Sequence, residues 1–105
     1  CEQLVQGLLD CGRDPAVPCT IVTGAGAGAA FHAGGDLKAM RERSGMFAGD
    51  PAELRQRYQR GIQAVPRTIA LCQKPLLAAI NGPAIGAGLD LACMCDLRLA
   101  ARTAQ

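Results

Sequence analysis

The sequence predicts an α/β fold in which short apolar strands alternate with helices. Three segments have strand character, over 19–23, 76–80 and 96–100, and a helical pattern comes before each of them. This alternation is typical of a parallel sheet whose crossover connections are helices. The 105 residues suffice for one domain, and a composition of 50% hydrophobic and 19% charged residues excludes a disordered chain.

The first part of the chain predicts a helix, a strand and a loop. Leucine and valine recur with helical spacing over 2–12, and Pro15 lies just beyond the end of that pattern. Residues 19–23, CTIVT, are largely β-branched, which favours a strand. The Gly/Ala run at 24–30 predicts a loop. A second helix is expected to begin near Asp36, because its carboxylate can accept hydrogen bonds from the amides that follow it.

A long amphipathic helix is predicted over 50–72. Asp50 suits the N-cap, a proline follows at the first helical position, and Glu53 can bond back to the cap. Pro66 removes one amide and crowds a preceding carbonyl, so we expect a kink or a break near it. The charged, aperiodic segment 41–49 is expected to form a surface loop.

The last part of the chain predicts two strands around a helix. Residues 76–80, LLAAI, are continuously apolar, as in a strand that is covered on both faces. Asn81-Gly82-Pro83 turns the chain. Residues 86–95 then favour a helix that starts in glycines, and 96–100 alternate like a strand.

Composition excludes several classes of function. The net charge is only +2 and aromatic residues make up 3%, which disfavours nucleic-acid binding. The sequence has no apolar run of the roughly 18–20 residues that a membrane helix needs. Its six cysteines form no C-x-x-C pair and it has one histidine, so no metal site is expected. Free thiols used as small apolar residues fit a reducing compartment.

Two glycine-rich segments follow predicted strands. Residues 24–29 fit the dinucleotide fingerprint G-x-G-x-x-A, but two adjacent glycines further on are poor helix interior, and no strand ending in an acid follows. In the second segment, 81–90, a strand leads through a loop to a helix N-terminus, which is a favourable place for an anion. Close helix–sheet packing explains that segment equally well, with Asp90 merely favourable near the positive end of the helix.

Two longer motifs resemble a known family. They are FHAGGDLKAM at 31–40 and KPLLAAINGPAIGAGLDLACMCDLRLAA at 74–101. In order and spacing they are similar to the F-x-A-G-x-D-L and K-P-x-x-A-x-x-N-G-x-x-x-G-x-G-x-[ED]-L-x-x-x-C-D signatures of the crotonase superfamily, the enoyl-CoA hydratase/isomerase family. The resemblance covers 19–105 and implies a spiral of ββα units. Residues 1–105 are then expected to be part of one crotonase-like domain, without its N-terminal strands and C-terminal helices.

The resemblance also implies a reaction. Family members bind an acyl-CoA thioester and stabilise an enolate oxygen with two backbone amides, which correspond here to Gly35 and Ala87. Asp90 takes the position of the first catalytic carboxylate, which is usually Glu in hydratases and Asp in dienoyl-CoA isomerases, so hydration and double-bond isomerisation both stay open. The second acid is expected about 20 residues after Asp90, outside this chain, so the fragment alone is expected to be inactive.

Further expectations follow from the same resemblance. Ala33, Gly34, Leu37 and Gly86 are expected to bind substrate. Coenzyme A is part of that substrate, and no separate cofactor is expected. The full-length protein is expected to form a homotrimer or homohexamer in the cytoplasm, with a mitochondrial or peroxisomal location left open because the N-terminus is missing.

Two alternatives remain open from the sequence. The chain can be a non-catalytic unit of crotonase fold that binds coenzyme A or serves assembly, or a dinucleotide-binding module. Acyl chain length and pathway are not fixed by the residues. His32 has no acidic partner nearby in sequence, so it is interpreted as a pocket-wall or surface group and not as a catalyst.

Overall fold

Three parallel strands form the sheet in the computed structural model of the chain, which describes residues 1–26 and 30–104. The strands lie in the order β1-β2-β3, so the second strand is central. Each strand pairs in parallel with its neighbour, as the alternation of helices and strands predicted. Their bounds are Thr20–Thr23 for β1, Leu76–Ile80 for β2 and Leu97–Ala100 for β3.

Five α-helices and one 3₁₀ turn connect and flank the strands within the described residues. The predicted helices at the two ends of the chain are confirmed to within two residues. The Gly/Ala loop predicted over 24–30, with the fingerprint at 24–29, includes residues 27–29, which lie outside the described part. The helices are α1 (Glu2–Arg13), α2 (Leu37–Glu42), α3 (Pro51–Arg60), α4 (Ala64–Ala70) and α5 (Ala87–Met94), and the 3₁₀ turn spans Gly45–Phe47.

The two predicted N-caps are confirmed. The Asp36 carboxylate accepts a hydrogen bond from the Ala39 amide at 2.9 Å and starts α2. Asp50 accepts from the Glu53 amide at 2.9 Å, while the Glu53 carboxylate accepts from the Asp50 amide at 3.2 Å. Both caps satisfy amides that have no partner within their helix.

The helix predicted over 50–72 is interrupted, as expected, and the chain forms α3 and α4 with a turn between them, but the predicted position of the break is wrong. The interruption lies at 61–63 and not at Pro66. Pro66 falls in the first turn of α4, where its missing amide is not required. The Val65 amide donates instead to the Ile62 carbonyl, at 3.3 Å, in a tighter turn.

The prediction of a surface loop over 41–49 is also wrong. The segment contains the end of α2 and the 3₁₀ turn, and Phe47 is buried. Its ring packs edge-on against Tyr58 of α3, with 6.0 Å between ring centroids. Arg57 donates to two carbonyls of the segment, at 2.7 and 3.0 Å. One aromatic side chain thus anchors a stretch whose composition indicated only a loop.

The core lies between one face of the sheet and the helices α1 and α5. Buried side chains of the central strand β2 form one cluster with Leu8 of α1 and the inner face of α5, and α4 packs against this cluster. This packing fixes α5 against the strand that leads into it. The buried residues of the cluster are Leu8, Phe31, Leu76, Ala78, Leu91, Ala92 and Cys95.

The opposite face of the sheet carries an exposed apolar patch. The register aligns Ile21, Leu77 and Leu97 across the three strands, with Leu99 two residues further along β3. Ile21 is 62% exposed and Leu99 is 68% exposed. The expectation that strand 76–80 is covered on both faces is therefore wrong for the described residues, because α1 and α5 both pack on the other face.

We expect the 105-residue chain, expressed alone, to self-associate through this patch, because parallel sheets are stable when both faces are covered. Replacing Leu97 and Leu99 by threonine removes apolar surface, introduces β-branched residues that favour a strand, and should reduce light scattering and oligomer content. The control is Leu71→Thr, since Leu71 is 81% exposed but lies at the end of α4. A monomeric parent chain, or an equal effect of the control, would contradict this.

Candidate active site

Two loops that follow β1 and β2 pair with each other beyond the ends of the strands. The His32 amide donates to the Pro83 carbonyl at 3.2 Å, and the Ile85 amide donates to the His32 carbonyl at 3.0 Å. His32 and Ala84 thereby form an isolated parallel bridge. Because both loops leave the carboxyl ends of neighbouring parallel strands, they meet at one edge of the sheet, which is the usual place for a ligand in α/β proteins.

Asn81 clamps the start of the first loop. Its side-chain amide donates to the Gly24 carbonyl and its carbonyl oxygen accepts from the Gly24 amide, both at 3.0 Å. A Cβ on Gly24 would lie 2.7 Å from the Asn81 Oδ1, so glycine is needed for this approach. From the sequence alone, Asn81 is expected only to turn the chain. Its position directly after an apolar strand was the available signal.

Gly34 brings the first loop against the start of α5. It adopts a φ of +86°, and a Cβ on it would lie 2.7 Å from the Ile85 carbonyl oxygen and 3.8 Å from the Ala87 nitrogen. A side chain is excluded both by the backbone conformation and by the contact. Gly35 is the next residue, so the two backbone segments predicted to bind an enolate oxygen lie side by side.

The amides of Gly35 and Ala87 donate no hydrogen bond to any residue in the described ranges. Ala87 is the first residue of α5, and the N–H groups of a first helical turn have no partner within the helix. Gly86 precedes it with a φ of +54°, a conformation that favours glycine. The structure therefore places Gly34 beside Gly86 and Ala87, with Gly35 next along the chain, and the binding roles of these four residues stay predictions.

The other predicted site residues are Asp90, Ala33 and Leu37, and all three are exposed. Asp90 is exposed in the first turn of α5, and its carboxylate makes no hydrogen bond to the described residues. A carboxylate there is favoured by the positive end of the helix dipole. Ala33 is exposed in the first loop, and Leu37, at the start of α2, is 77% exposed. The capping role expected for Asp36 is confirmed.

Helix α5 is held at both ends. At its start, a Cβ on Gly88 would lie 2.2 Å from the His32 carbonyl oxygen, so the helix rests directly on the first loop. At its end, the Asp96 carboxylate accepts from the Leu76 amide at 2.8 Å, and the Asp96 amide donates to the Leu76 carbonyl at 2.8 Å. Asp96 thus has a structural role.

The cysteines are free thiols with different surroundings. Burial raises the pKa of the Cys95 thiol, the Asp96 carboxylate raises it further, and the Arg98 guanidinium opposes this increase. Cys95 donates to the Leu91 carbonyl at 3.4 Å and stays a neutral packing residue. The interpretation of the cysteines as small apolar residues holds for Cys95 but is wrong for those that are exposed. The exposed ones are Cys1, Cys19 and Cys93.

No other kind of site stands out in the part of the chain that the structure describes. Its residues include no group of three or more histidine, cysteine or acidic side chains able to hold a metal ion. Over residues 1–26 and 30–104, no helix is long and apolar enough to cross a membrane. An open depression between the start of α1 and the end of α3 contains Met46 and Arg60 but none of the candidate site residues.

Family comparison agrees with the motifs and with the geometry. The chain belongs to the enoyl-CoA hydratase/isomerase family, whose model matches residues 1–105. It is 48% identical over 88 residues to the Mycobacterium tuberculosis protein "Probable enoyl-CoA hydratase EchA14", covering 83% of this chain and 30% of the relative. It is 37% identical over 103 residues to the 1,2-epoxyphenylacetyl-CoA isomerase of Escherichia coli, and the match covers 98% of this chain and 37% of that relative.

The fold comparison gives the same result. The crystal structure of an enoyl-CoA hydratase/carnithine racemase from Magnetospirillum magneticum has a TM-score of 0.81 and 31% identity, and it covers 97% of this chain and 36% of that protein. The predicted crotonase-like α/β fold is confirmed. The chain spans about a third of the length of these relatives.

The contact between Gly88 and His32 gives a direct test of how the two loops meet. Gly88→Ala should lower the free energy of unfolding of the full-length protein by about 1–3 kcal/mol, the usual cost of overpacking. The control Gly7→Ala changes a helical glycine with nothing within 4 Å of the added Cβ. It should raise stability by about 0.5–1 kcal/mol. Urea unfolding measures both, and equal effects of the two substitutions would contradict the contact.

Proposed function

We propose that the full-length protein acts on an acyl-CoA thioester and either hydrates a 2-enoyl-CoA or moves a double bond within an enoyl- or dienoyl-CoA. The observation that carries the proposal is the pair of backbone amides, Gly35 and Ala87, that lie in adjacent segments without partners among the described residues. Both reactions place negative charge on the thioester oxygen, so one pair of donors serves either.

The amides supply the electrostatic part of the reaction. Two N–H groups held by backbone contacts can receive an oxyanion without rearranging, and the dipole of α5 adds to the potential at Ala87. Removal of one such donor typically raises an enzymatic barrier by about 2.7–4 kcal/mol. Ala87 is exposed, and its donor is a main-chain group, so the methyl side chain of alanine is compatible with the role.

Asp90 is proposed to carry the proton. It lies three residues, close to one helical turn, beyond Ala87, and its exposed carboxylate is proposed to reach the carbons next to a thioester whose oxygen is bound there. Asp is about 1.5 Å shorter than Glu, and a misplacement of about 1 Å can change a rate 10²-fold. The choice between hydration and isomerisation therefore depends on where the acyl chain lies. Relatives bear both kinds of name, including a crotonyl-CoA hydratase and a dienoyl-CoA isomerase.

The proposal requires no metal ion and no dissociable cofactor, because amides and a carboxylate supply both charge stabilisation and proton transfer. The homotrimer or homohexamer and the cytoplasmic location stay predictions. The alternative is a non-catalytic unit that binds coenzyme A. It is favoured by the exposure of Asp90, whose carboxylate makes no hydrogen bond to the described residues.

Asp90→Asn in the full-length protein distinguishes these two functions. Turnover is measured with 2-enoyl-CoA and 3,5-dienoyl-CoA, and acyl-CoA affinity is measured by calorimetry. The proposal predicts that kcat falls about 10²–10⁴-fold, because the base is lost. Affinity should change little, because the amides remain. EDTA should leave the parent activity unchanged.

The control is Asp10→Asn, which removes an exposed carboxylate on α1, outside both loops. It should leave kcat unchanged. A near-normal kcat of Asp90→Asn with a lowered melting temperature would contradict the catalytic role. A parent protein that binds acyl-CoA but converts neither substrate would favour the non-catalytic unit.

A further inference from the structure

His32 contacts both halves of the candidate site. Its backbone bonds to Pro83 and Ile85 of the second loop, and its carbonyl oxygen faces Gly88 of α5. Its side chain turns back on its own loop, where the Gly34 amide donates to the imidazole Nδ1 at 2.9 Å. His32 therefore contacts both loops: its backbone bonds to the second loop, and its ring bonds to the backbone of the first loop.

The direction of this hydrogen bond determines which nitrogen of the neutral imidazole carries the proton. A backbone N–H only donates, so Nδ1 must accept, and the proton of the neutral imidazole lies on Nε2. The ring is exposed, so it does not contribute to the core. The consequence of losing this bond is expected in the loop and not in the packing of the sheet.

The hydrogen bond from the Gly34 amide to Nδ1 also restricts the orientation of the Gly35 amide, because Gly34 connects the two peptide groups. It holds the peptide plane between Ala33 and Gly34, and only the φ and ψ of Gly34 separate that plane from the one that carries the Gly35 amide. Gly34 has a φ of +86° and approaches Ile85 too closely for any side chain. Glycine is the most flexible residue, so this conformation needs an external restraint.

We propose that His32 is a positioning residue: its Nδ1 holds the Gly34 amide and thereby directs the Gly35 amide toward the thioester oxygen. This role rests on the proposed function of Gly35 and Ala87. His32 does not touch the reacting atoms and transfers no proton. A side chain in its place must accept a hydrogen bond from the amide two residues further on, which asparagine does well in turns.

Three substitutions in the full-length protein test the acceptor. His32→Asn keeps an acceptor at a similar reach, His32→Leu removes it, and His32→Gln places it one methylene too far. The first readout is kcat against KM. His32→Leu and His32→Gln should lower kcat by about 10²-fold, the effect of a misplacement of about 1 Å. His32→Asn should restore most of the kcat.

The second readout is the polarisation of a bound thioester, which needs no turnover. Butyryl-CoA labelled with ¹³C at the thioester carbonyl is bound to each variant, and the carbonyl stretching frequency is measured by infrared difference spectroscopy. The parent and His32→Asn should lower this frequency. His32→Leu and His32→Gln should lose most of the shift, while affinity falls by no more than about tenfold, the value of one hydrogen bond.

The outcomes separate the two proposals. A parent protein that binds butyryl-CoA without a frequency shift overturns the proposed pair of amides, and the role of His32 with it. A parent shift that persists in His32→Leu overturns the role of His32 alone. The same holds if His32→Asn is as impaired as His32→Leu. If His32→Leu fails to fold, the comparison of His32→Asn with His32→Gln decides, with melting temperatures measured for both.

Discussion

The candidate site depends on the pairing of two loops beyond the ends of their strands. β1 and β2 lie in parallel, and their pairing resumes at the bridge between His32 and Ala84. The distance between the backbones is then too short for side chains. Gly24 meets Asn81 and Gly34 meets Ile85 at contacts that exclude a Cβ. Gly34 of the first motif and Gly88 of the second are therefore explained by close approach to main-chain atoms of the other segment, and the exposed amides of Gly35 and Ala87 lie beside these contacts without partners in the described residues.

The second constraint is the fixation of α5. Its start rests on the His32 carbonyl, and its inner face is buried through Leu91 and Ala92. Asp96, which lies between α5 and β3, bonds to the beginning of β2. A helix held at both ends can present the Ala87 amide in a fixed direction. Electrostatic stabilisation of a transition state requires such donors to be in place before charge develops. The contacts that stabilise the fold are thus also those that hold the proposed amide donor of Ala87.

Local signals in the sequence predicted most of the elements and the location of the site. The caps at Asp36 and Asp50 depend on residues three apart, and the strands on short apolar runs, so both could be predicted without tertiary information. The break between α3 and α4 was misplaced because a proline in a first helical turn is tolerated. The roles of Asn81 and His32 could not be predicted. The role of Asn81 depends on Gly24, a partner 57 residues away in sequence. The role of His32 depends on its backbone bridge to Ala84, which composition does not reveal.

The most direct test of the account is a crystal structure of the full-length protein with a bound acyl-CoA thioester that does not react. The account predicts that the thioester oxygen lies about 2.7–3.1 Å from the nitrogen atoms of both Gly35 and Ala87, the distance of an oxyanion donor. The acyl carbons next to it should then face Asp90. A thioester oxygen that contacts solvent or other side chains, with either amide more than about 3.5 Å away, would contradict the central claim.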